Sequence, residues 1–185
     1  MIVDVGTGDG RAVLDRAARE PTALVIGIDA VASAMADASR RADRRGPPNA
    51  VFLVAGAESL GRSPLAGTAG LVTVSFPWGS LLGGVTGLDT AALDGLAALL
   101  APGGRLEVLA SVEPEDGVAG LACLDRSTEP TIRAAWARAG IRLMRMRPAT
   151  AADVWASGSS WGRRLGTGTG RAARRVWRLE GCRLG

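Results

Sequence analysis

Short runs of apolar and β-branched residues alternate along the chain with longer stretches in which apolar residues recur every three or four positions. The short runs predict strands, and the longer stretches predict amphipathic helices. Several runs are almost continuously apolar, which is typical of parallel strands covered by helices on both faces. The alternation therefore predicts an α/β fold in which βαβ units build one parallel sheet.

The pattern gives bounds for each element. The predicted strands are Ile2–Val5, Leu24–Ile28, Val51–Ala55, Leu71–Phe76, Arg105–Ala110, Ile141–Arg147 and Arg175–Glu180. The predicted helices are Arg11–Glu20, Val31–Arg44, Thr90–Leu100 and Thr131–Ala139, and the last two end at Pro102-Gly103-Gly104 and at Gly140. With 185 residues, 47% of them hydrophobic, the chain has the length and the apolar content of a single domain over residues 1–185.

The stretch from Pro148 to Gly170 separates the last two predicted strands. It is rich in Gly and Ser, and it contains Trp155 and Trp161. Connections of this length inside a compact domain are usually functional, so we interpret it as a substrate loop, with Trp155 as its expected anchor. Trp136 is different, because it shares the apolar face of a predicted helix with Ile132 and is expected to pack in the core.

Composition excludes several classes of protein. Histidine is absent, and the only two cysteines, Cys123 and Cys182, lie far apart in the sequence. Histidine-ligated metal sites and nucleophile–histidine pairs are therefore excluded, and we expect no metal. The longest apolar runs have the length of strands, and Met1 leads directly into the first of them, so we expect a soluble, cytoplasmic protein that does not enter membranes.

Charge is distributed unevenly along the chain. Residues 131–185 contain 12 Arg and 2 acidic residues, whereas residues 1–130 contain 10 Arg and 16 acidic residues. An arginine-rich surface favours a polyanionic partner, because each phosphate that meets an arginine releases condensed counterions. A solvated basic rim is the alternative, and charge alone leaves both open.

A glycine-rich turn follows the first predicted strand, at Asp4-Val5-Gly6-Thr7-Gly8-Asp9-Gly10, and predicts a nucleotide-type site at the carboxyl edge of the sheet. Arg11 stands where the dinucleotide fingerprint requires Gly or Ala, which disfavours a nicotinamide cofactor. Asp4 would repel a pyrophosphate but suits a ligand with ammonium and sulfonium groups, such as S-adenosylmethionine.

Two further acidic residues follow the next two predicted strands. Asp29 stands where an acid accepts hydrogen bonds from ribose hydroxyls, and Glu58 is placed to meet the adenine end of an adenosyl cofactor. The alternative is that these acids are ordinary capping and turn residues.

The fourth predicted strand breaks into Pro77-Trp78, which places an indole in the substrate crevice of an open α/β sheet. Trp78 can present a flat face to a base pulled from its stack, although a lone tryptophan is more often a core or rim aromatic. Trp161 lies beside Arg163 and Arg164 in the substrate loop. The two indoles are therefore predicted to enclose one purine.

Four arginines near the end of the second predicted helix, Arg40, Arg41, Arg44 and Arg45, form two i,i+4 pairs of like charge. Such pairs are mildly destabilising, and a phosphate partner would relieve the repulsion. An ordinary cationic helix end with Asp37 and Asp43 as partial partners is the alternative.

These residues together resemble the aminoglycoside-resistance methyltransferases that modify N1 of adenine 1408 in the decoding site of 16S rRNA. The resemblance covers nearly the whole chain, and it is carried by these segments: Asp4-Val-Gly-Thr-Gly-Asp-Gly10, Gly27-Ile-Asp29, Ala57-Glu58-Ser-Leu60, Phe76-Pro-Trp-Gly-Ser-Leu-Leu82 and Ser159-Ser-Trp-Gly-Arg-Arg-Leu165. It implies a class I S-adenosylmethionine-dependent methyltransferase with a Rossmann-like seven-stranded sheet, in which the last strand pair is antiparallel. Members of the family usually carry a short extension before the first strand, where this sequence starts.

The resemblance also implies roles for individual residues. The implied cofactor contacts are Asp4, Gly6, Gly8, Asp29, Ala57, Glu58 and Ser80. Trp78 and Trp161 would stack on the target base in a pocket that Pro77 and Ser159 also line. The implied RNA contacts are Arg40, Arg41, Arg44, Arg45, Arg164, Arg171 and Arg174, with Arg175 as a competing equivalent. The implied partner is the decoding-site helix of 16S rRNA in the small ribosomal subunit, and we expect a monomer.

The absence of histidine is compatible with this chemistry, because N1 of neutral adenine already has an in-plane lone pair and needs alignment more than proton removal. Two alternatives remain at this point: a methyltransferase of small metabolites, and a non-catalytic RNA-binding module on the same fold.

Overall fold

The computed structural model describes residues 1–166 and 174–185, and it describes only the backbone of Leu165 and Gly166. Its strands are β1 (Ile2–Val5), β2 (Val25–Asp29), β3 (Ala50–Val54), β4 (Ala69–Ser75), β5 (Leu100–Ala110), β6 (Ile141–Pro148) and β7 (Trp177–Arg183). Its α-helices are α1 (Arg11–Arg19), α2 (Ala32–Arg45), α3 (Gly79–Thr86), α4 (Thr90–Leu99), α5 (Glu129–Arg138), α6 (Ala151–Ala156) and α7 (Ser160–Gly166). Short 3-10 helices lie at Ala57–Arg62, Pro114–Asp116 and Arg126–Thr128.

The strands form one seven-stranded sheet in the order β3-β2-β1-β4-β5-β7-β6. The first five strands of this order run parallel, whereas β7 is antiparallel to both β5 and β6. This confirms the fold class that the resemblance implied. The order reverses between β1 and β4, and ligands of open α/β sheets bind beyond the carboxyl ends of the strands at such a reversal.

The core lies on both faces of the central strands. All four residues of β1 are buried, because helices and neighbouring strands enclose it on every side. Trp136 of α5 is fully buried, and its Nε1 donates a hydrogen bond to the carbonyl oxygen of Val85 at 2.9 Å. The predicted packing of Trp136 is therefore confirmed.

The sequence pattern missed several elements. Helix α3 has two adjacent glycines in a Gly-Ser-Leu-Leu-Gly-Gly segment of low helix propensity, and it forms because Leu82 and Val85 are buried in the core. The stretch interpreted as a loop from position 148 onward contains helices α6 and α7. Strand β5 begins at Leu100, so it includes the Pro102-Gly103-Gly104 segment that was expected only to end a helix.

The expectation that Trp155 anchors the substrate loop is wrong, because its side chain is 74% exposed. Asp153 takes the anchoring part instead. Its carboxylate caps α6 through Thr150 and forms ion pairs with Arg147 of β6, at 2.7 Å, and Arg178 of β7, at 3.0 Å. Charged side chains at the sheet edge, rather than an apolar ring, therefore fix the start of this segment.

None of the helices in residues 1–166 and 174–185 combines the length and the apolarity that a membrane crossing requires.

Candidate active site

A cleft of about 620 Å³ opens at the carboxyl ends of β1, β2 and β4, at the reversal in strand order. It is lined by every residue that the sequence assigned to the cofactor: Asp4, Gly6, Gly8, Asp29, Ala57, Glu58 and Ser80. It is also lined by the four residues assigned to the target base: Pro77, Trp78, Ser159 and Trp161. The fold therefore brings together in one cavity residues that are up to 157 positions apart, the separation of Asp4 and Trp161.

The glycine turn crosses the floor of the cleft in a conformation that favours glycine. Gly6, Gly8 and Gly10 have φ values of 74°, 58° and 69°, all in the left-handed region. Gly8 N donates a hydrogen bond to Asp29 Oδ2 at 2.8 Å, and Val31 N donates to Asp29 Oδ1 at 2.9 Å. The backbone thus fixes the Asp29 carboxylate from both sides, and each oxygen keeps a lone pair for a ligand hydroxyl.

Asp4 is the buried acid of the cleft. The residue is only 8% exposed, and Thr73 Oγ1 of the neighbouring strand β4 donates a hydrogen bond to Asp4 Oδ1 at 2.6 Å. Burial raises the pKa of the Asp4 carboxyl, and the hydrogen bond from Thr73 opposes that rise. A buried carboxylate of this kind favours a cationic group beside it, because a nearby positive charge offsets the lost hydration.

The wall that carries Ala57 and Glu58 is the 3-10 helix Ala57–Arg62, and it packs against α4. The contact is closest at Gly95, where a β-carbon would overlap the carbonyl oxygen of Ala57. Sequence reasoning missed Gly95, since a glycine in the middle of a helix carries no signal of what crosses it. The position of this wall therefore depends on a glycine outside the cleft.

The strand end that carries Trp78 is strained. Phe76 has φ 54°, which is rare for an aromatic residue, and its N–H donates to Leu109 O at 2.7 Å. This turn directs Pro77 and Trp78 across the mouth of the cleft, and Trp78 is 53% exposed. Backbone strain at a position next to a ligand cavity is a frequent mark of a functional turn.

The indoles of Trp78 and Trp161 meet at the cleft with their ring centroids 6.5 Å apart and an interplanar angle of 81°. The prediction that the two rings share one pocket is thus consistent with their placement. Their mutual orientation is edge-to-face, whereas a purine held between them requires parallel rings. The distance between the two rings already suits a base held between them. To accept a base, one indole therefore only has to turn by about a right angle.

The arginines assigned to RNA occupy three situations. Arg40, Arg41, Arg44 and Arg45, which we call the α2 arginine cluster, are all exposed at the end of α2. Arg40 forms an ion pair with Asp37, while the other three line a surface groove against α1. Arg164 is exposed and lines the cleft.

The remaining assigned arginines come shortly before the last strand in the sequence. Among them, Arg174 forms an ion pair with Asp116, and its Nε donates a hydrogen bond to Ser111 Oγ at 3.2 Å. The hydrogen bond from Arg174 lowers the pKa of the Asp116 carboxyl. These contacts attach the segment just before β7 to the 3-10 helix Pro114–Asp116. Arg175 is exposed, and Arg171 lies outside the described residues.

The strand order, the antiparallel β7 and an acid–glycine turn facing a cleft with two further carboxylates define a class I S-adenosylmethionine-dependent methyltransferase. The family model NpmA, 16S rRNA (adenine(1408)-N(1))-methyltransferase, matches residues 1–180. The chain belongs to this family.

Relatives and solved structures agree with this assignment. A 16S rRNA (adenine(1408)-N(1))-methyltransferase of Streptoalloteichus hindustanus is 35% identical in an alignment that covers 92% of this chain and 82% of the relative. The crystal structure of the 16S rRNA methyltransferase KamB superposes with a TM-score of 0.85 at 34% identity, covering 100% of this chain and 87% of that one. A mutant 16S rRNA (adenine(1408)-N(1))-methyltransferase from Catenulisporales acidiphilia, solved with the cosubstrate SAM, also has a TM-score of 0.85, at 32% identity over 100% of this chain and 85% of that one.

Proposed function

We propose that the protein methylates N1 of adenine 1408 in 16S rRNA, with S-adenosylmethionine as methyl donor, and thereby confers resistance to aminoglycosides. The observation that carries the proposal is that one cleft contains both the acid–glycine set and the two indoles. A small-metabolite enzyme would need neither a pair of exposed indoles at its cleft nor the α2 arginine cluster.

The cleft fits S-adenosylmethionine by the chemistry of its donor set. Asp4, Asp29 and Glu58 supply three carboxylates, which suit ammonium and sulfonium charges and accept hydrogen bonds from hydroxyl and amino groups. The turn through Gly6 and Gly8 lets the backbone approach a ligand closely. When bound, S-adenosylmethionine supplies a methyl group made electrophilic by its sulfonium.

The chain's own residues then have two tasks, which are to extract the adenine and to orient it. The α2 arginine cluster and Arg164 bind rRNA phosphates, which positions the enzyme on the decoding-site helix. Trp78 and Trp161 stack on the two faces of the flipped base, while Pro77 and Ser159 line its edge. No side chain has to remove a proton, because N1 uses its lone pair and the product becomes cationic. Indole faces stabilise that cation better than aliphatic walls would.

In this proposal residues 1–185 act as one methyltransferase domain, and the segment at about 148–170 is its tryptophan-bearing substrate loop. The protein works as a monomer in the cytoplasm, on the small ribosomal subunit. Arg171 and Arg174 remain proposed phosphate contacts; Arg174 would have to share its guanidinium between RNA and Asp116.

The proposal is tested by incubating the protein with small ribosomal subunits and labelled S-adenosylmethionine, followed by reverse transcription. An N1-methylated adenine blocks Watson–Crick pairing, so we expect a stop at adenine 1408. Expression in a susceptible host should raise aminoglycoside tolerance. Subunit binding without methyl transfer would instead identify a non-catalytic RNA-binding module, and activity on free nucleosides without a stop would identify a small-molecule enzyme.

Variants separate the two tasks. Stacking on an aromatic side chain contributes about 1–3 kcal/mol per base, so Trp78→Ala and Trp161→Ala should each lower methylation by about 5- to 150-fold. Cofactor affinity should change much less, and unchanged methylation in either variant would refute the clamp. Changing the whole α2 arginine cluster to Glu should abolish subunit binding with cofactor binding intact. Undiminished subunit binding would show that this face does not meet RNA.

A further inference from the structure

Trp161 stands between two residues that fix its helix to different walls of the cleft. On one side, Ser160 Oγ donates a hydrogen bond to Asp9 Oδ2 at 2.5 Å. Asp9 belongs to the glycine turn, and its other oxygen accepts from Arg11 N at 3.2 Å. Ser160 therefore connects α7 directly to the turn that we propose holds the cofactor.

On the other side, Gly162 is buried against the strained strand end. A β-carbon at Gly162 would lie 2.9 Å from Phe76 Cε2 and 3.0 Å from Val154 Cγ1, which is closer than ordinary packing permits. Phe76 comes two residues before Trp78, and Gly162 comes one residue after Trp161. The packing of their chain neighbours thus sets the distance between the two indoles.

The turn before α7 is also held closely. Gly158 has φ 69°, and a β-carbon there would lie 3.3 Å from Ala12 Cα of α1. Its carbonyl oxygen accepts a hydrogen bond from Arg163 Nη2 at 3.1 Å. Helix α7 is therefore attached at three points around Trp161, to α1, to the glycine turn and to the end of β4.

We infer that Asp9, Ser160 and Gly162 are positioning residues, which align the target-base clamp with the methyl donor. The inference deepens the proposed function and rests on it. Asp9 and Ser160 join the cofactor turn to Trp161, and Gly162 joins Trp161 to the segment of Trp78. The Ser160–Asp9 hydrogen bond joins the glycine turn to the helix of Trp161, so a change in the turn on cofactor binding alters the position of Trp161. By the same coupling, binding of the base at Trp161 must change the affinity for the cofactor equally.

The test measures methylation of small subunits, cofactor affinity and the indole pair separately. Ser160→Ala and Asp9→Ala should each lower kcat by about 10-fold, because a misaligned reactive group reacts more slowly. Ser160→Ala leaves the glycine turn intact, so in that variant KM for the subunit and Kd for the cofactor should change by less than about 3-fold. The double variant should be no slower than Asp9→Ala alone, since both changes remove the Ser160–Asp9 bond and only Asp9→Ala also removes the hydrogen bond from Arg11 N. Ser160→Thr keeps the hydroxyl and should restore kcat.

Ser127→Ala is the matched control. Ser127 Oγ donates to Asp125 Oδ1 at 2.6 Å, in a similar exposed Ser–Asp pair outside the cleft. Its removal should leave kcat unchanged. An equal loss in Ser127→Ala, or a loss of cofactor affinity in Ser160→Ala as large as its loss of kcat, would overturn the inference.

A second variant and a spectroscopic measurement do not depend on activity. A β-carbon at Gly162 has to displace α7 or the side chains of Phe76 and Val154, so Gly162→Ala should reduce the exciton couplet that two adjacent indoles produce in circular dichroism, and Ser160→Ala should reduce it also. If the wild-type protein gives no stop at adenine 1408, the proposed function fails, and the couplet alone then decides. A couplet unchanged in both variants means that neither residue positions Trp161.

Discussion

Helix α4 crosses the 3-10 helix Ala57–Arg62 at Gly95, and Gly95→Ala is predicted to weaken both the fold and cofactor binding. The added methyl would overlap the carbonyl oxygen of Ala57 and lie 2.8 Å from its carbonyl carbon. These are backbone atoms, so they cannot rotate away as the end of a side chain can. The two helices must separate, and Ala57 and Glu58 move with their backbone.

Two opposing effects decide the magnitude. Alanine in a helix interior is favoured over glycine by about 1 kcal/mol. Forcing extra volume into a packed contact costs about 1–3 kcal/mol, and contact with a backbone carbonyl places Gly95→Ala at the upper end of that range. We therefore expect a net loss of about 1–2 kcal/mol, which for a chain of this length lowers Tm by about 2–8 °C. Cofactor affinity should fall several-fold because Ala57 and Glu58 line the cleft.

Thermal unfolding and titration calorimetry with S-adenosylmethionine measure the two effects. Gly61→Ala is the control on the same interface, since its added β-carbon would lie 3.4 Å from Ala98 Cβ, an acceptable packing distance. It should change neither Tm nor affinity appreciably. A Gly95→Ala protein that melts at or above the wild-type temperature and binds the cofactor normally would refute the reasoning, because helix propensity would then have outweighed the steric overlap.

Three further predictions concern other buried or paired groups. Burial raises the pKa of the Asp4 carboxyl, so at a pH above the ordinary aspartate pKa the ionised side chain destabilises the fold. Asp4→Asn should therefore unfold at a higher urea concentration than the wild type at pH 7. It should also bind S-adenosylmethionine at least about 10-fold more weakly, as measured by calorimetry. The hydrogen bond from Arg147 lowers the pKa of the Asp153 carboxyl, so its stabilising effect is complete above the ordinary aspartate pKa of about 4 and is lost as the pH falls below it. The free energy of unfolding in urea should therefore decrease less steeply below about pH 4 in Asp153→Asn than in the wild type. Trp136→Phe leaves the buried carbonyl of Val85 without its donor and should cost about 1–3 kcal/mol in urea unfolding, whereas Trp155→Phe at the exposed position should cost less than about 0.5 kcal/mol.

Residues at the ends of parallel strands were predictable because topology collects them. Asp4, Asp29 and Glu58 each lie near the end of a strand, and the carboxyl ends of parallel strands meet at one edge of the sheet. The pattern of strands therefore predicts that the proposed cofactor residues lie together. The same rule predicts the position of Trp78, which lies three residues after the end of β4.

Contacts that depend on packing between distant elements were not predictable. Gly95 and Gly162 matter because of what lies across from them, Ala57 in one case and Phe76 in the other, and no local pattern encodes such a contact. Helix α3 escaped prediction because burial of its apolar side chains outweighs its glycines. Trp155 was misread because an aromatic residue in a loop can pack or project, and its surroundings decide which.

The edge-to-face arrangement of the indoles determines how much each can contribute. Opening that contact costs about 0.5–1.5 kcal/mol, and unstacking the adenine from its helix costs a few kcal/mol more. Two new stacking contacts stabilise the captured base by about 2–6 kcal/mol in all. Two indoles therefore approximately offset the cost of opening their contact and unstacking the adenine, whereas one indole does not. The rings are already 6.5 Å apart, close to the separation of about 7 Å that a base stacked on both sides needs, so rotation of one ring suffices.

Base capture is thus nearly neutral in energy, and the phosphate contacts of the arginines have to make the bound state favourable. Each ring contributes its own stacking contact, so the Trp78→Ala, Trp161→Ala double variant should methylate about 5- to 150-fold more slowly than either single variant, and a double variant as active as the single ones would contradict this balance.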